Sequence, residues 1–281
     1  MRALAALAHS EVSVREQLVT VARWCERNDV EFWTAPADAE EAGASEFASD
    51  RALGAADLVL SLGGDGTMLR SVHLLDGAPT PLLGVNLGSL GYLTEVEADQ
   101  LEASLTTFFD GAEGDDWELD ERLMIEVEVA GRHVGRALNE AVVEKHQAGN
   151  TVRLLALIDG EPFTYYAADG LIVATPTGST AYSLSARGPV VSPHHRALLL
   201  TPVSPHMLFD RTLVLDPTQT VEVQVSGHRK ADLALDGRFV QTLGDGELVR
   251  CTSSSATARF VRFGEFHFHQ ILKAKFGLQD R

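Results

Sequence analysis

Apolar residues recur along this chain with two different periods, and the period changes partway through. In the first stretch, short apolar runs alternate with segments of helical spacing. Residues 3–8 are an apolar run that reads as a first buried strand. From Glu11 to Arg27, Val14, Leu18, Val21 and Trp24 recur every three or four positions, which makes one face of an amphipathic helix. Val30–Trp33 reads as a second strand, and 35–49, rich in acids and alanines, as a solvated loop with a weak helix. Ala56–Leu62, Met68–Leu75, Pro81–Asn86 and Leu101–Phe109 then give strand, helix, strand and helix. Such alternation predicts a mostly parallel sheet covered on both faces, with ligands at the carboxyl ends of its strands.

Gly111–Asp116 has the composition of a linker, and beyond it the period becomes two. Leu123–Val129, Leu154–Ile158, Val221–Val225, Glu247–Arg250 and Arg259–Phe263 read as half-exposed strands, and the apolar runs 137–143 and 171–174 as further strands. Asp159-Gly160 and Asp236-Gly237 are hairpin signals. One helix, Thr180–Ala186, interrupts this region; Ser179 or Thr180 is its expected cap and Gly188-Pro189 its stop. Phe266, Ile271, Leu272 and Phe276 mark a last amphipathic helix, expected to pack back on the first domain. The expected architecture is an α/β amino-terminal domain over 1–118, joined by helix 264–281, and a β-rich, sandwich-like domain over 119–263.

The chemistry concentrates where apolar strands run into polar loops. Leu58–Leu62 feeds Gly63-Gly64-Asp65-Gly66-Thr67, and a helix follows. A glycine turn there can take left-handed angles and lets a ligand approach the backbone. Free N–H groups and the helix dipole favour phosphate at such a point. Asp65 is the only charge in the loop, and no lysine follows the glycines, so this is not a Walker loop. These residues alone fit a phosphate seat and an ordinary acidic turn equally. Arg70, one helical turn on, can face the same point or solvent. Asn139-Glu140 offers donors and acceptors for adjacent ribose hydroxyls, or is a strand end turning outward. Asp169-Gly170 leads to Thr175-Pro176-Thr177-Gly178-Ser179-Thr180-Ala181-Tyr182, a hydroxyl-rich loop able to hold a polar ligand while Tyr182 packs on a flat ring. Neither the histidines nor Ser183 and Ser185 have the spacing of a zinc site or a nucleophile elbow.

A net charge of −17 over 281 residues argues against a general nucleic-acid or anionic-membrane binder. Cys25 and Cys251 make no disulfide framework. No stretch reaches the ~18 apolar residues of a membrane span, and the apolar start 3–8 is too short for a secretory signal, so a cytoplasmic protein is expected.

Taken together, Leu62–Thr67, Asn86-Leu87-Gly88-Ser89-Leu90-Gly91-Tyr92-Leu93, Asn139-Glu140 and Asp169–Ser185 resemble the NAD kinase family. The glycine–aspartate loop is shared with lipid kinases and phosphofructokinases; the Asp169–Tyr182 pattern is much more specific. The resemblance implies transfer of a phosphoryl group from ATP, or from polyphosphate, to the adenosine ribose 2′-hydroxyl of NAD, with a divalent cation such as Mg²⁺. It implies Asp65 as the catalytic base and Gly63, Gly64, Gly66 and Thr67 at ATP. It implies Asp65, Gly66, Arg70, Asn139, Glu140, Asp169, Thr180, Ala181, Tyr182, Ser183, Leu184 and Ser185 at NAD. It also implies a homodimer or homotetramer. A lipid or sugar kinase on the same scaffold and a non-catalytic nucleotide sensor are the alternatives. The chain departs from the family at Arg187, usually glycine, at Thr212, where a proline usually follows the arginine, and at Ala167 and Asn150, often basic.

Overall fold

The computed structural model describes residues 2–8, 14–88 and 91–278. Glu11, at the expected start of the first helix, and Ser89 and Leu90 of the second glycine loop lie outside them. The chain divides into two compact units, 1–121 with 258–281 and 122–257. The expected boundaries at 118 and 263 differ because the chain passes between the units inside two strands, Glu118–Val129 and Leu248–Arg262.

The first unit is an α/β layer structure. Strands β1 (Arg2–Ala8), β2 (Val30–Thr34), β3 (Leu58–Gly63) and β4 (Leu82–Asn86) form a parallel sheet in the order β4-β3-β1-β2. The short β5 (Val96–Glu97) and Phe260 of the long strand Leu248–Arg262 both pair with β4. Because β1 lies between β2 and β3, the winding reverses at β1/β3, and such a sheet opens a crevice beyond the carboxyl ends of those strands. Helix α1 (Arg15–Arg27) buries Leu18, Val21, Trp24 and Cys25 as its spacing requires. Trp24 donates its indole N–H to Thr106 Oγ1 at 3.1 Å on α4 (Leu101–Asp110). The acidic stretch after β2 carries the weak helix expected, α2 (Pro36–Glu41), but is not wholly solvated: Asp38 and Ala39 are buried, Asp38 paired with Arg70. Helix α3 (Asp65–Leu75) packs close on the sheet; a Cβ on Gly84 of β4 would lie 2.8 Å from Met68 Sδ.

The second unit is antiparallel. The strands β6 (Glu118–Val129), β7 (Arg132–Ala137), β8 (Glu140–Lys145), β9 (Val152–Ile158), β10 (Glu161–Ala168) and β11 (Gly170–Ala174) come first. After α5 (Tyr182–Ser185) come β12 (Leu198–Val203), β13 (Leu213–Leu215), β14 (Val221–Val225), β15 (Ala231–Leu235), β16 (Arg238–Leu243) and β17 (Leu248–Arg262). One sheet runs β10-β9-β14-β17 and the other β13-β12-β11-β8-β15-β16. Alternate residues of both, among them Val143, Leu171, Leu154 and Val223, fill one buried core, the sandwich arrangement of a β-rich unit. Asp159-Gly160 and Asp236-Gly237 turn two hairpins with left-handed angles at both residues, as their sequences predict. The two expected strands 247–250 and 259–263 are one continuous strand, β17. The expected helix 180–186 is a 3₁₀ turn, Thr177–Thr180, followed by the single turn α5. Its hydroxyl cap is absent because Ser179 Oγ bonds instead to Val191, through both N–H and C=O.

The last helix, α6 (Phe268–Lys275), belongs to the first unit. Arg262 fixes the approach to it. Its buried guanidinium pairs with Glu95 at 2.7 Å and Asp120 at 3.2 Å, and the Phe266 ring lies 4.8 Å from its centre.

Candidate active site

The first cluster forms around Asp65. Gly64 caps α3 and Asp65 is its first residue, where a carboxylate complements the helix dipole. None of the loop glycines takes a left-handed angle, contrary to expectation; Gly64 sits at φ −108°. A Cβ at Gly64 or Gly66 would meet nothing within 4 Å, so these two positions leave open space beside the backbone. The amides of Asp65 and Gly66 open the helix and have no intrahelical acceptor. Thr67 is buried and its C=O accepts from Ser71 Oγ.

The Asp65 carboxylate bridges both glycine loops. Oδ2 accepts from Tyr92 N–H at 3.0 Å and Oδ1 from Leu93 N–H at 2.9 Å. Gly91 is needed at that contact, because a Cβ there would lie 2.4 Å from Asp65 Oδ1. Lys275 Nζ of α6 stands 3.5 Å from Oδ2 and 4.5 Å from the centroid of the Tyr92 ring. A carboxylate has about four acceptor positions, so three donors leave capacity for a substrate hydroxyl. Arg70 is not aimed at this loop. Its guanidinium forks onto the buried Asp38, with Nη1 3.0 Å from Oδ2, and also reaches Ala8 C=O at 3.2 Å. Asp38 in turn accepts from Ala8 N–H at 2.9 Å.

The second cluster forms in the other unit around Asn139-Glu140. The N–H groups of Leu138, Asn139 and Glu140 all donate to the Asp236 carboxylate, at 2.7, 2.7 and 3.0 Å. The hydroxyl-rich loop is locked to the same strand end: Thr175 N–H donates to Asn139 C=O and Thr175 Oγ1 to Leu138 C=O. Gly178 must be glycine, since a Cβ would lie 2.1 Å from Asn139 C=O. Glu140 is 6 % exposed, and its Oε2 has no partner among the described residues. Burial, then the charge of Asp236, push its carboxyl up to about 8, against a hydrogen bond from Tyr182 N–H. Asp236 is itself raised by burial, an effect opposed by its three amide donors.

The remaining predicted residues spread along the loop. Thr180 Oγ1 donates back to Thr177 C=O, Ala181 N–H closes the turn on Gly178, and Tyr182 and Ser185 are exposed. Leu184 is half-buried, and Ser183 points inward to Thr201 Oγ1 at 3.1 Å under the close approach of Gly188. Arg187 takes the left-handed angle (φ 67°) that ends α5, the conformation that suits glycine. Asp169 pairs with Lys145 at 2.6 Å. Lys145 also lines a cleft of about 420 Å³ with His146, Asn150, His228, Arg229 and Lys230.

Two family models match this chain, the ATP-NAD kinase N-terminal domain over residues 6–113 and the ATP-NAD kinase C-terminal domain over 138–263. The chain belongs to the NAD kinase family. An NAD kinase of Heliobacterium modesticaldum is 43% identical over 224 residues, 78% of each chain. An NAD kinase of Wolinella succinogenes is 35% identical over 277 residues, 98% of this chain and 94% of that one. Among solved structures, an Archaeoglobus fulgidus NAD kinase in complex with ATP gives a TM-score of 0.73 at 25% identity, covering 99% of this chain and 98% of that one. Yeast NADH kinase complexed with NADH shares the fold, with a TM-score of 0.88 at 24% identity over 100% of this chain and 89% of that one.

Residues that local sequence reading left out complete both clusters. Tyr92 and Leu93, singled out only as part of the second glycine-bearing stretch and given no role, act through their amides, which no side-chain pattern reveals. Asp236 reads only as a hairpin signal, and Lys275 sits among the polar positions of a helix singled out for its apolar face. Asp38 hides in a stretch whose composition suggests solvent.

Proposed function

We propose that this NAD kinase family member transfers the terminal phosphoryl group of ATP to the 2′-hydroxyl of the adenosine ribose of NAD, giving NADP. The observation that carries the reading is Asp65: the one acid of the glycine loop, fixed at the start of α3, with acceptor capacity to spare. In this mechanism Asp65 accepts the proton of the attacking hydroxyl. A carboxylate is a far weaker base than an alkoxide, so the proton leaves late, when the bond to phosphorus is already forming. Rate acceleration then comes mainly from positioning and charge stabilisation. The loop amides take ATP phosphates, and Asn139 and Glu140 hold ribose hydroxyls. The cleft beside Asp169 supplies Lys145, Arg229 and Lys230, cations suited to the pyrophosphate of NAD where Asn150 and Ala167 offer none.

The donor set beside the loop amides, one carboxylate with acceptor capacity left over, fits a Mg²⁺ ion that arrives on ATP, since Mg²⁺ is commonly held by one or two carboxylates plus substrate phosphates. Asp65 would be the carboxylate, and the ion would neutralise phosphate charge. No helix among the described residues is long and apolar enough to cross a membrane. Exposed Phe163, Tyr165, Leu208 and Phe209, with Phe163 and Phe209 in edge contact, support a homo-oligomer.

A coupled assay pairing NAD or NADH with ATP or polyphosphate tests the reading. NADP formation from NAD and ATP is expected. ATP binding without turnover on either acceptor would favour a nucleotide sensor, and phosphorylation of a lipid or sugar alone would favour the other kinase classes.

A further inference from the structure

The glycine loop brings no lysine of its own, and Arg70, the nearest helix cation, is occupied by Asp38. The fold nevertheless carries an ammonium to the loop from the far end of the chain. Lys275 stands 3.5 Å from Asp65 Oδ2 and 4.5 Å from the Tyr92 ring centroid. We propose that Lys275 is the phosphate-binding cation of the ATP site, an assignment that rests on the kinase reading above.

Five features support it. The two Asp65 oxygens already accept the amides of Tyr92 and Leu93, so the carboxylate does not depend on the lysine for its hydrogen bonds. At 3.5 Å the ammonium is at the long end of a hydrogen bond, free to turn to a stronger acceptor. A Cβ at Gly64 or Gly66 would meet nothing within 4 Å, so the loop backbone is open to a phosphate on the side of the helix start that Asp65, and with it Lys275, also occupies. The helix that carries Lys275 is itself anchored, because the segment leading into it is held by the buried Arg262 and its two carboxylates. Aligned N–H groups supply partial charge only; an ammonium supplies the full charge that an acidic protein of −17 otherwise lacks at this point.

ATP titration separates this role from simple pairing with Asp65. In the Asp65→Asn background, which turns over slowly, adding Lys275→Met is expected to weaken ATP binding about tenfold or more, the scale of a lost charge-assisted bond. Lys275→Arg should recover most of the affinity, and NAD binding should change by less than about twofold. Helix α6 buries no residue among those described, so these substitutions leave the core intact. Unchanged ATP binding for Lys275→Met in that background would overturn the proposal, since the lysine would then serve Asp65 alone. Equal losses for ATP and NAD would also overturn it and make α6 a support for the Tyr92 loop. NADP formation by the unaltered protein is the separate control: its absence sinks the kinase reading, while the ATP titration still reads the lysine.

Discussion

Glu140, which opens β8, and Asp236, in the hairpin turn between β15 and β16, are neighbouring carboxyl groups, and their environments divide the roles between them. Asp236 takes three amide N–H groups and is the member suited to carry charge. Glu140 has an unpartnered oxygen and a carboxyl pushed up to about 8 by burial and by Asp236. At neutral pH Glu140 is therefore largely protonated and can donate to a ribose oxygen. NAD binding should weaken as pH rises through about 8 and stay level in Glu140→Gln, whose amide imitates the protonated acid; NAD titrations at pH 6.5 and 9 decide this. Stability has the same sign. The native state holds a proton that the unfolded chain releases near the ordinary glutamate value of 4.5, so between 4.5 and about 8 rising pH destabilises the fold, by at most about 1.4 kcal/mol per unit. Glu140→Gln should flatten that slope in urea midpoints measured from pH 5 to 8.

In the proposed mechanism Asp65 carries two duties on one carboxylate, proton acceptor and anchor of the Tyr92 and Leu93 amides. Asp65→Asn should lower turnover by about two to four orders of magnitude, the range for a lost general base. Asparagine has only one acceptor oxygen, so one of the Tyr92 and Leu93 amides also loses its partner, at a cost of about 1 kcal/mol. Steady-state rates and a urea melt on the same protein separate the two effects. Near-normal turnover would remove Asp65 from the role of base.

At the scale of elements, what was legible was whatever has a local period. Buried strands β1, β3 and β4, helices α1, α3 and α4 and both Asp-Gly hairpins announce themselves by spacing or turn chemistry. In the acidic stretch 35–49 the weak helix is legible but the burial of Asp38 is not, because its cause lies 32 residues away, the guanidinium of Arg70. Similarly, Thr252, Ser253, Ser254 and Ser255 look like a break between strands yet lie within β17, where tertiary pairing overrides composition. The Arg70–Asp38 pair ties α3, α2 and the end of β1 into one support beneath the glycine loop. Arg70→Ala should therefore cost about 2–3 kcal/mol of stability by leaving a buried carboxylate short of its cation. Adding Asp38→Asn should restore part of that. If Arg70→Ala instead keeps its urea midpoint and raises the KM for ATP, the guanidinium serves phosphate and the support role falls.

For the whole molecule the dominant fact is charge. A chain of −17 must bind ATP and NAD, both anionic, and long-range attraction gives no help. Local devices have to overcome this: loop amides, Lys275, and the cations of the cleft around Lys145. None of them matches the charge on the terminal phosphates of ATP. Activity should therefore require a divalent cation delivered with the nucleotide. Excess EDTA is expected to lower NADP formation by about a hundredfold or more, in line with the several kcal/mol a metal contributes to charge stabilisation, and Mg²⁺ in excess of the chelator should restore it. NAD binding measured without ATP should be indifferent to the same treatment, because the ion belongs to the phosphate donor. Turnover that survives EDTA would mean that amides and lysine alone neutralise the transferring phosphoryl group.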